Sequence, residues 1–237
     1  MSMATVNDIE SLSYRVVEIL LLLPTVLFGF LGLGFVVVGL LGDASVGNGP
    51  LGIVSIMGTF GVWYIGVILV ALVSWVVTPV VLYLDTKKIQ DADVDWDPSP
   101  GLYAVAGFFL GYLVKLHHLY NRHQYVVDWV ERDWWWTLVA VGTVMPPVCI
   151  ALGVTLTLTG SVTTGLVFIG VGVLTTAPFS VAIYRDATYV RLNSGAWQPN
   201  PGNYINLGVF FLFFAPVVYP IIGGYYLFRR HRAIGTV

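Results

Sequence analysis

The chain has 237 residues, 57% of them hydrophobic and only 10% charged, with a formal net charge of −2 at pH 7 and a mean hydropathy of +0.82. A soluble domain carries about 25% charged residues, so water cannot be the solvent for most of this surface. The near-neutral balance gives no footing for nucleic-acid binding, and a single cysteine, Cys149, excludes an intrachain disulfide framework or a cysteine-based metal site.

The N-terminal stretch carries Asp8, Glu10 and Glu18 against a lone Arg15. The apolar run at 16–41 is far longer than the roughly 7–15 residues of a signal-peptide core, so a spanning helix is expected rather than a cleaved signal. A bilayer core needs about 20 apolar residues in helix. A second run lies within 51–84; at 1.5 Å per residue it would reach about 50 Å, so it must tilt, begin late or continue past the membrane. The run at 102–120 is interrupted by Gly107, Gly111, Lys115, His117 and His118. Residues 120–129 mix apolar and polar types and are expected along the surface. Glu131-Arg132-Asp133 and then Trp134-Trp135-Trp136 mark an interface where a third spanning helix, 134–158, begins. A fourth occupies 165–184. The last run, 204–228, is broken by Pro216, Pro220, Gly223 and Gly224.

Charge distribution separates two topologies. If all six runs span with the N-terminus inside, Arg15, Lys87, Lys88, Arg229, Arg230 and Arg232 fall inside and Arg122, Arg132, Arg185 and Arg191 outside. That is a poor cytoplasmic bias. If 102–120 and 204–228 instead enter and return on one side, all ten lie inside with Lys115 in the first hairpin, and the outer turns 42–50 and 159–164 hold no Lys or Arg. The expected fold is therefore an all-α integral membrane protein with four spanning helices plus two re-entrant or broken helices. The alternative is six spanning helices with inverted repeats, as in many transporters.

The chain also repeats itself. Tyr83-x-Asp85 is followed by Trp96-x-Pro98-x-Pro100-x-x-Tyr103, an apolar stretch and Arg122-His123. Tyr184-x-Asp186 is followed by Trp197-x-Pro199-x-Pro201-x-x-Tyr204, an apolar stretch and Arg230-His231. The offset is 101 residues from Tyr to Tyr and 108 at the Arg-His pair. Such periodicity divides the chain into two tandem repeats, 1–130 and 131–237.

The motif suggests anchoring. Tyr83 and Tyr184 are expected to close the second helix of each half at headgroup level. Asp85 and Asp186 would then oppose a helix dipole and need partners. Arg122 and Arg230 are the candidates, clamping each hairpin's exit onto its spanning helix; contact with lipid phosphates is the other use for these arginines. Trp-x-Pro-x-Pro is stiff and extended, and returns the chain to the membrane at a set angle.

Other chemistry has little support. His117 and His118 point about 100° apart on a helix and share no face. Asp91, Asp93, Asp95 and Asp97 alternate as an oxygen cluster might for a hard cation, but the second copy has Arg191-Leu192-Asn193-Ser194 there. No nucleophile elbow, zinc-helix motif or phosphate loop is present. Thr155, Thr157 and Thr175 could line a channel. Gly29, Gly32, Gly34, Gly39, Gly170 and Gly172 let helices approach closely, within the chain or between subunits.

The Tyr-x-Asp, Trp-x-Pro-x-Pro and Arg-His pattern, covering about 90 residues in two copies (Tyr83 to His123 and Tyr184 to His231), resembles a module of uncharacterised haloarchaeal membrane proteins. The resemblance implies membrane location and source, and no activity; the second copy departs from it by a longer, proline-containing hairpin. The expected protein is non-enzymatic: a multi-pass structural, accessory or partner-binding component of the cell membrane with both termini cytoplasmic. Its partners would be the lipid bilayer and another membrane protein or a second copy of itself, with no catalytic, cofactor or metal residue. A small-solute channel or transporter with its path at the repeat interface is the competing expectation.

Overall fold

The computed structural model describes residues 4–5, 9, 11–41, 50–92, 94–127 and 133–235. Among the described residues, eight helices follow in order: α1 (Leu12–Leu41), α2 (Pro50–Asp91), α3 (Pro100–Tyr125), α4 (Trp135–Leu158), α5 (Val162–Leu174), α6 (Thr176–Asn193), α7 (Pro201–Phe210) and α8 (Ala215–Ile234). A 3-10 turn, Leu212–Phe214, joins the last two. The extended chain is a two-residue parallel pairing of β1 (Ala4–Thr5) with β2 (Val126–Val127).

Five helical stretches are long and apolar enough to cross a membrane: Leu12–Leu40, Met57–Asp91, Pro100–Tyr125, Trp135–Leu158 and Val162–Asn193. α2, at 42 residues, is one continuous helix; it extends about 63 Å, so it begins early and also runs past any bilayer core. The last of the five is broken at Thr175, three residues before Pro178, which has no N–H to continue the ladder.

Pro100–Tyr125 meets the length criterion but is not straight. At Gly111 the backbone leaves helical geometry (φ 18°, ψ −78°). The Tyr103 hydroxyl reaches His117 Nδ1 at 3.1 Å. Fourteen residues of straight helix would hold these two about 21 Å apart. α3 thus turns back at Gly111, with its two limbs, 100–110 and 112–125, side by side. α7, the 3-10 turn and α8 fold back in the same way, bringing Tyr204 and Tyr226 to 4.8 Å between ring centroids.

Close helix packing rests on paired glycines. A Cβ on Gly32 of α1 would stand 2.6 Å from the Gly170 carbonyl oxygen of α5, and a Cβ on Gly170 would stand 2.6 Å from that of Gly32. Gly153 of α4 and Gly165 of α5 face each other similarly, at 2.6 and 2.7 Å. α5 is held between α1 and α4 by backbone contact that any side chain would block. One apolar core gathers Tyr14, Val17, Leu82, Leu119, Tyr184 and Ile205; another gathers Val139, Phe179, Ile183, Tyr219 and Tyr226. Large apolar side chains elsewhere face outward, including Val62, Phe109 and Leu158.

Three expectations change. Tyr83 and Tyr184 do not end their helices: α2 continues to Asp91 and α6 to Asn193, because the residues between are compatible with helix and meet no Gly or Pro. The dipole argument for Asp85 and Asp186 falls with this. Residues 120–125 belong to the second limb of α3 rather than to a surface segment, and Val126–Val127 pair with the N-terminal strand. Asp93, the stretch 128–132 with Arg132, and the turn 42–49 lie outside the described residues.

Candidate functional site: two buried carboxylate–arginine centres

Asp85 is fully buried on α2 and is satisfied from two other elements. From the second limb of α3, Arg122 Nε donates to Asp85 Oδ2 at 3.0 Å and His118 Nε2 donates to the same oxygen at 2.8 Å. His118 and Arg122 stand four apart, so one helical face presents both donors. Ser11, just before α1, donates to Oδ1 at 2.5 Å. The Arg122 guanidinium is fully buried and lies 3.8 Å from the Tyr14 ring centroid. Nη1 and Nη2 find no hydrogen-bond partner among the described residues; the electron-rich ring face is what they meet instead.

The second half builds the same centre from different residues. Arg230 Nε donates to Asp186 Oδ2 at 2.8 Å, and the Tyr226 hydroxyl donates to the same oxygen at 2.7 Å. Tyr226 stands four before Arg230, as His118 stands four before Arg122. Arg230 also pairs with Asp133, ahead of α4, and lies 5.9 Å from the Trp136 ring. The aromatic surroundings match. Trp96 lies edge-on to Tyr103 (6.2 Å, 83°), as Trp197 does to Tyr204 (6.4 Å, 89°). Trp96 meets His118 at 5.6 Å and Trp197 meets Tyr226 at 5.5 Å. Each hairpin starts on a capping side chain, Ser99 or Asn200, with Pro100 or Pro201 at the first helical position. Pro98 and Pro199 are buried beneath these turns.

The first helices of the halves supply residues that the 101-residue offset does not reveal. Ser11 and Asp133, Tyr14 and Trp136, Val17 and Val139, and Pro24 and Pro146 are each 122 apart. The prolines were the readable signal, since each interrupts a long apolar run; the changed side chains at the other positions concealed it.

The two centres lie at one end of the molecule. Asn200 Nδ2 donates to the Tyr120 carbonyl at 3.0 Å, and a Cβ on Gly202 would stand 2.7 Å from Tyr120 Cα. Arg191 of α6 caps the C-terminal carbonyls of α3 at His123 and Gln124. Between the halves, the Tyr184 hydroxyl meets the Tyr14 hydroxyl at 2.6 Å and His123 Nε2 at 2.9 Å. Glu18 on α1 pairs with Arg185 on α6 at 3.1 Å.

The copies are not alike at every position. Tyr184 and His123 are buried between the halves, whereas Tyr83 is 42% exposed and His231 is exposed. Headgroup placement therefore suits Tyr83 and not Tyr184. The three clustered histidines diverge: His117 bonds Tyr103 and Asn121, His118 bonds Asp85, and His123 bonds Tyr14 and Tyr184. No group of three potential metal ligands occurs among the described residues. The hydroxyls of Thr155, Thr157 and Thr175 are spent on carbonyls of their own helices. No family model, no curated protein and no solved structure matches the chain.

Chemically, each centre is a neutralised carboxylate. Donors from neighbouring elements occupy both oxygens of Asp85 and Oδ2 of Asp186, while Asp186 Oδ1 is buried without a hydrogen-bond partner among the described residues. Such an arrangement fixes the base of a hairpin against a long helix.

Proposed function

We propose that this is a multi-pass integral protein of the cell membrane built from two tandem repeats. Each repeat consists of two spanning helices and one re-entrant hairpin, whose base is clamped by an aspartate–arginine pair. On this reading the protein is a non-enzymatic structural, accessory or partner-binding component. Both termini and both motif copies face the cytoplasm. The module is shared with the haloarchaeal membrane proteins it resembles.

The observation that carries the reading is the adjacency of the two centres through Asn200 and Tyr120. Inverted repeats would set equivalent motifs on opposite faces, about 30 Å or more apart. Charge supports it as well: apart from Lys115, the Lys and Arg of the described residues lie on helical segments that carry or flank the two motifs.

The test is cysteine labelling in intact cells. In a Cys149→Ala background, single cysteines replace Gln124, Gln198 and Thr159, all exposed. An impermeant maleimide should label position 159 and spare 124 and 198 until the membrane is opened. Labelling of 124 and 198 from opposite sides would overturn the parallel-repeat reading.

A further inference from the structure

Lys115 is a buried basic residue that neither centre uses. It projects from the second limb of α3, one turn beyond the hairpin tip at Gly111, and is 3% exposed. No hydrogen bond or ion pair to it occurs among the described residues; Nζ lies over the Tyr112 ring, 5.9 Å from the centroid. Among the described residues, the fully buried arginines, Arg122 and Arg230, each have a carboxylate partner. The second repeat places Gly223 at the equivalent position, so the lysine belongs to the first half alone.

Lys115 lines a cavity of about 510 Å³ between α1, α2, α3 and the end of α7. That volume falls in the range of small-ligand pockets, about 300–1,000 Å³. The walls are overwhelmingly apolar, with Val67 and Phe210 among them. Three further residues of the lining, Trp63, Thr78 and Tyr112, each bury a polar atom (Nε1, Oγ1 and the hydroxyl) that has no hydrogen-bond partner among the described residues. Buried donors are almost always satisfied, and an isolated buried ammonium is costlier still. An ammonium without a counter-ion among the described residues, in the wall of an apolar cavity, describes the missing partner: an anionic, hydrogen-bond-accepting group carried on an apolar body.

Depth narrows the class. Lys115 lies seven residues before Arg122, about 10 Å further from the charged end of the hairpin, and helical side chains lean toward the helix N-terminus, here the tip. A two-chain lipid keeps its phosphate at headgroup level. A single-chain acid can carry its carboxyl group deeper. We infer that this cavity is a binding site for a single-chain amphiphilic carboxylate, whose head group lies against Lys115 and whose chain runs along the α1–α2 wall.

Radiolabelled hexadecanoate binding to the full chain, purified in a non-ionic detergent, tests this. Saturable binding of one molecule per chain is expected, competed by unlabelled hexadecanoate and not by its methyl ester. Lys115→Met should weaken binding at least about tenfold, the scale of one charge-assisted hydrogen bond, while Lys115→Arg retains most of it. The methyl ester comparison uses the unaltered protein and so does not depend on the variant's folding. Equal competition by acid and ester, or unchanged binding in a well-folded Lys115→Met protein, would overturn the inference. Competition by phosphatidylglycerol in preference to the acid would reassign the site to a bilayer lipid and equally overturn it. Cysteine labelling from either side leaves this result unaffected, so the binding site and the topology fail independently.

Discussion

Replacing Asp85 by Asn should damage the protein more than the same change at Asp186. At Asp85 the substitution keeps the shape and removes the only carboxylate that Arg122 contacts among the described residues. Arg122 is left buried against the Tyr14 ring with no counter-ion, and His118 and Ser11 lose their charged acceptor. Removing one partner of a buried pair costs about 3–5 kcal/mol. At Asp186 the orphaned Arg230 keeps Asp133, which is 43% exposed at the side chain and therefore only a partial substitute; about 1–3 kcal/mol is expected there. Unfolding by SDS in mixed micelles, followed by near-ultraviolet circular dichroism, gives both values. In thermal melts the Asp85 variant should fall on the order of 10 °C. Converting the pair together, Asp85→Leu with Arg122→Met, should recover most of the loss, since no unpaired charge remains. Equal costs at the two aspartates, or a double variant as unstable as Asp85→Asn alone, would refute the view that uncompensated charge sets the penalty.

Tyr184→Phe should cost about 0.5–1.5 kcal/mol, because Tyr14 and His123 lose the hydroxyl between them. Tyr83→Phe, at the same motif position in the first copy, should stay within about 0.5 kcal/mol in the same assay. Gly32→Ala should destabilise by about 1–3 kcal/mol, since the new Cβ meets backbone atoms of α5. Gly61→Ala, with open space around it in mid-helix, should be neutral or stabilising. Cysteines at Tyr103 and His117, in a Cys149→Ala background, should be bridged by a short bis-maleimide and detected by mass spectrometry; failure to bridge would mean that α3 is straight.

Much of this architecture was legible because membrane helices announce themselves by length and apolarity. The runs 16–41 and 134–158 differ from α1 and α4 by a few residues at most. Interruption was legible too: Gly111 lay in the run marked as broken, and the chain turns back there. Helix ends were harder. Tyr83 looked like a terminus because polar residues follow it, yet Thr86 to Asp91 continue the helix in contact with the hairpin base. Burial was hardest. Nothing local distinguishes Tyr184 from Tyr83, or His123 from His231; the difference arises because α6 lies between the halves while the outer face of α2 does not. The matching donor roles of His118 and Tyr226 escaped notice because the two motif copies preserve the role and not the identity of the residue. A search for identical letters cannot find an imidazole exchanged for a phenol.

That exchange indicates what the repeat maintains. Around Asp85 the second donor is an imidazole and the remaining carboxylate oxygen accepts from Ser11; around Asp186 the donor is a phenol, and Asp133 stands where Ser11 stood, on the arginine instead of the aspartate. Donor types and ring types have drifted, while one buried guanidinium continues to face one buried carboxylate. Glu18 and Arg185 obey the same pairing between the halves. A low-dielectric interior enforces this balance, because each unpaired charge carries a desolvation cost of several kcal/mol. Lys115 is the departure: it is buried, has no carboxylate partner among the described residues, and shares an apolar cavity wall with Trp63, Thr78 and Tyr112. In a molecule that matches its buried charges so consistently, the missing anion at Lys115 is best supplied from outside the chain.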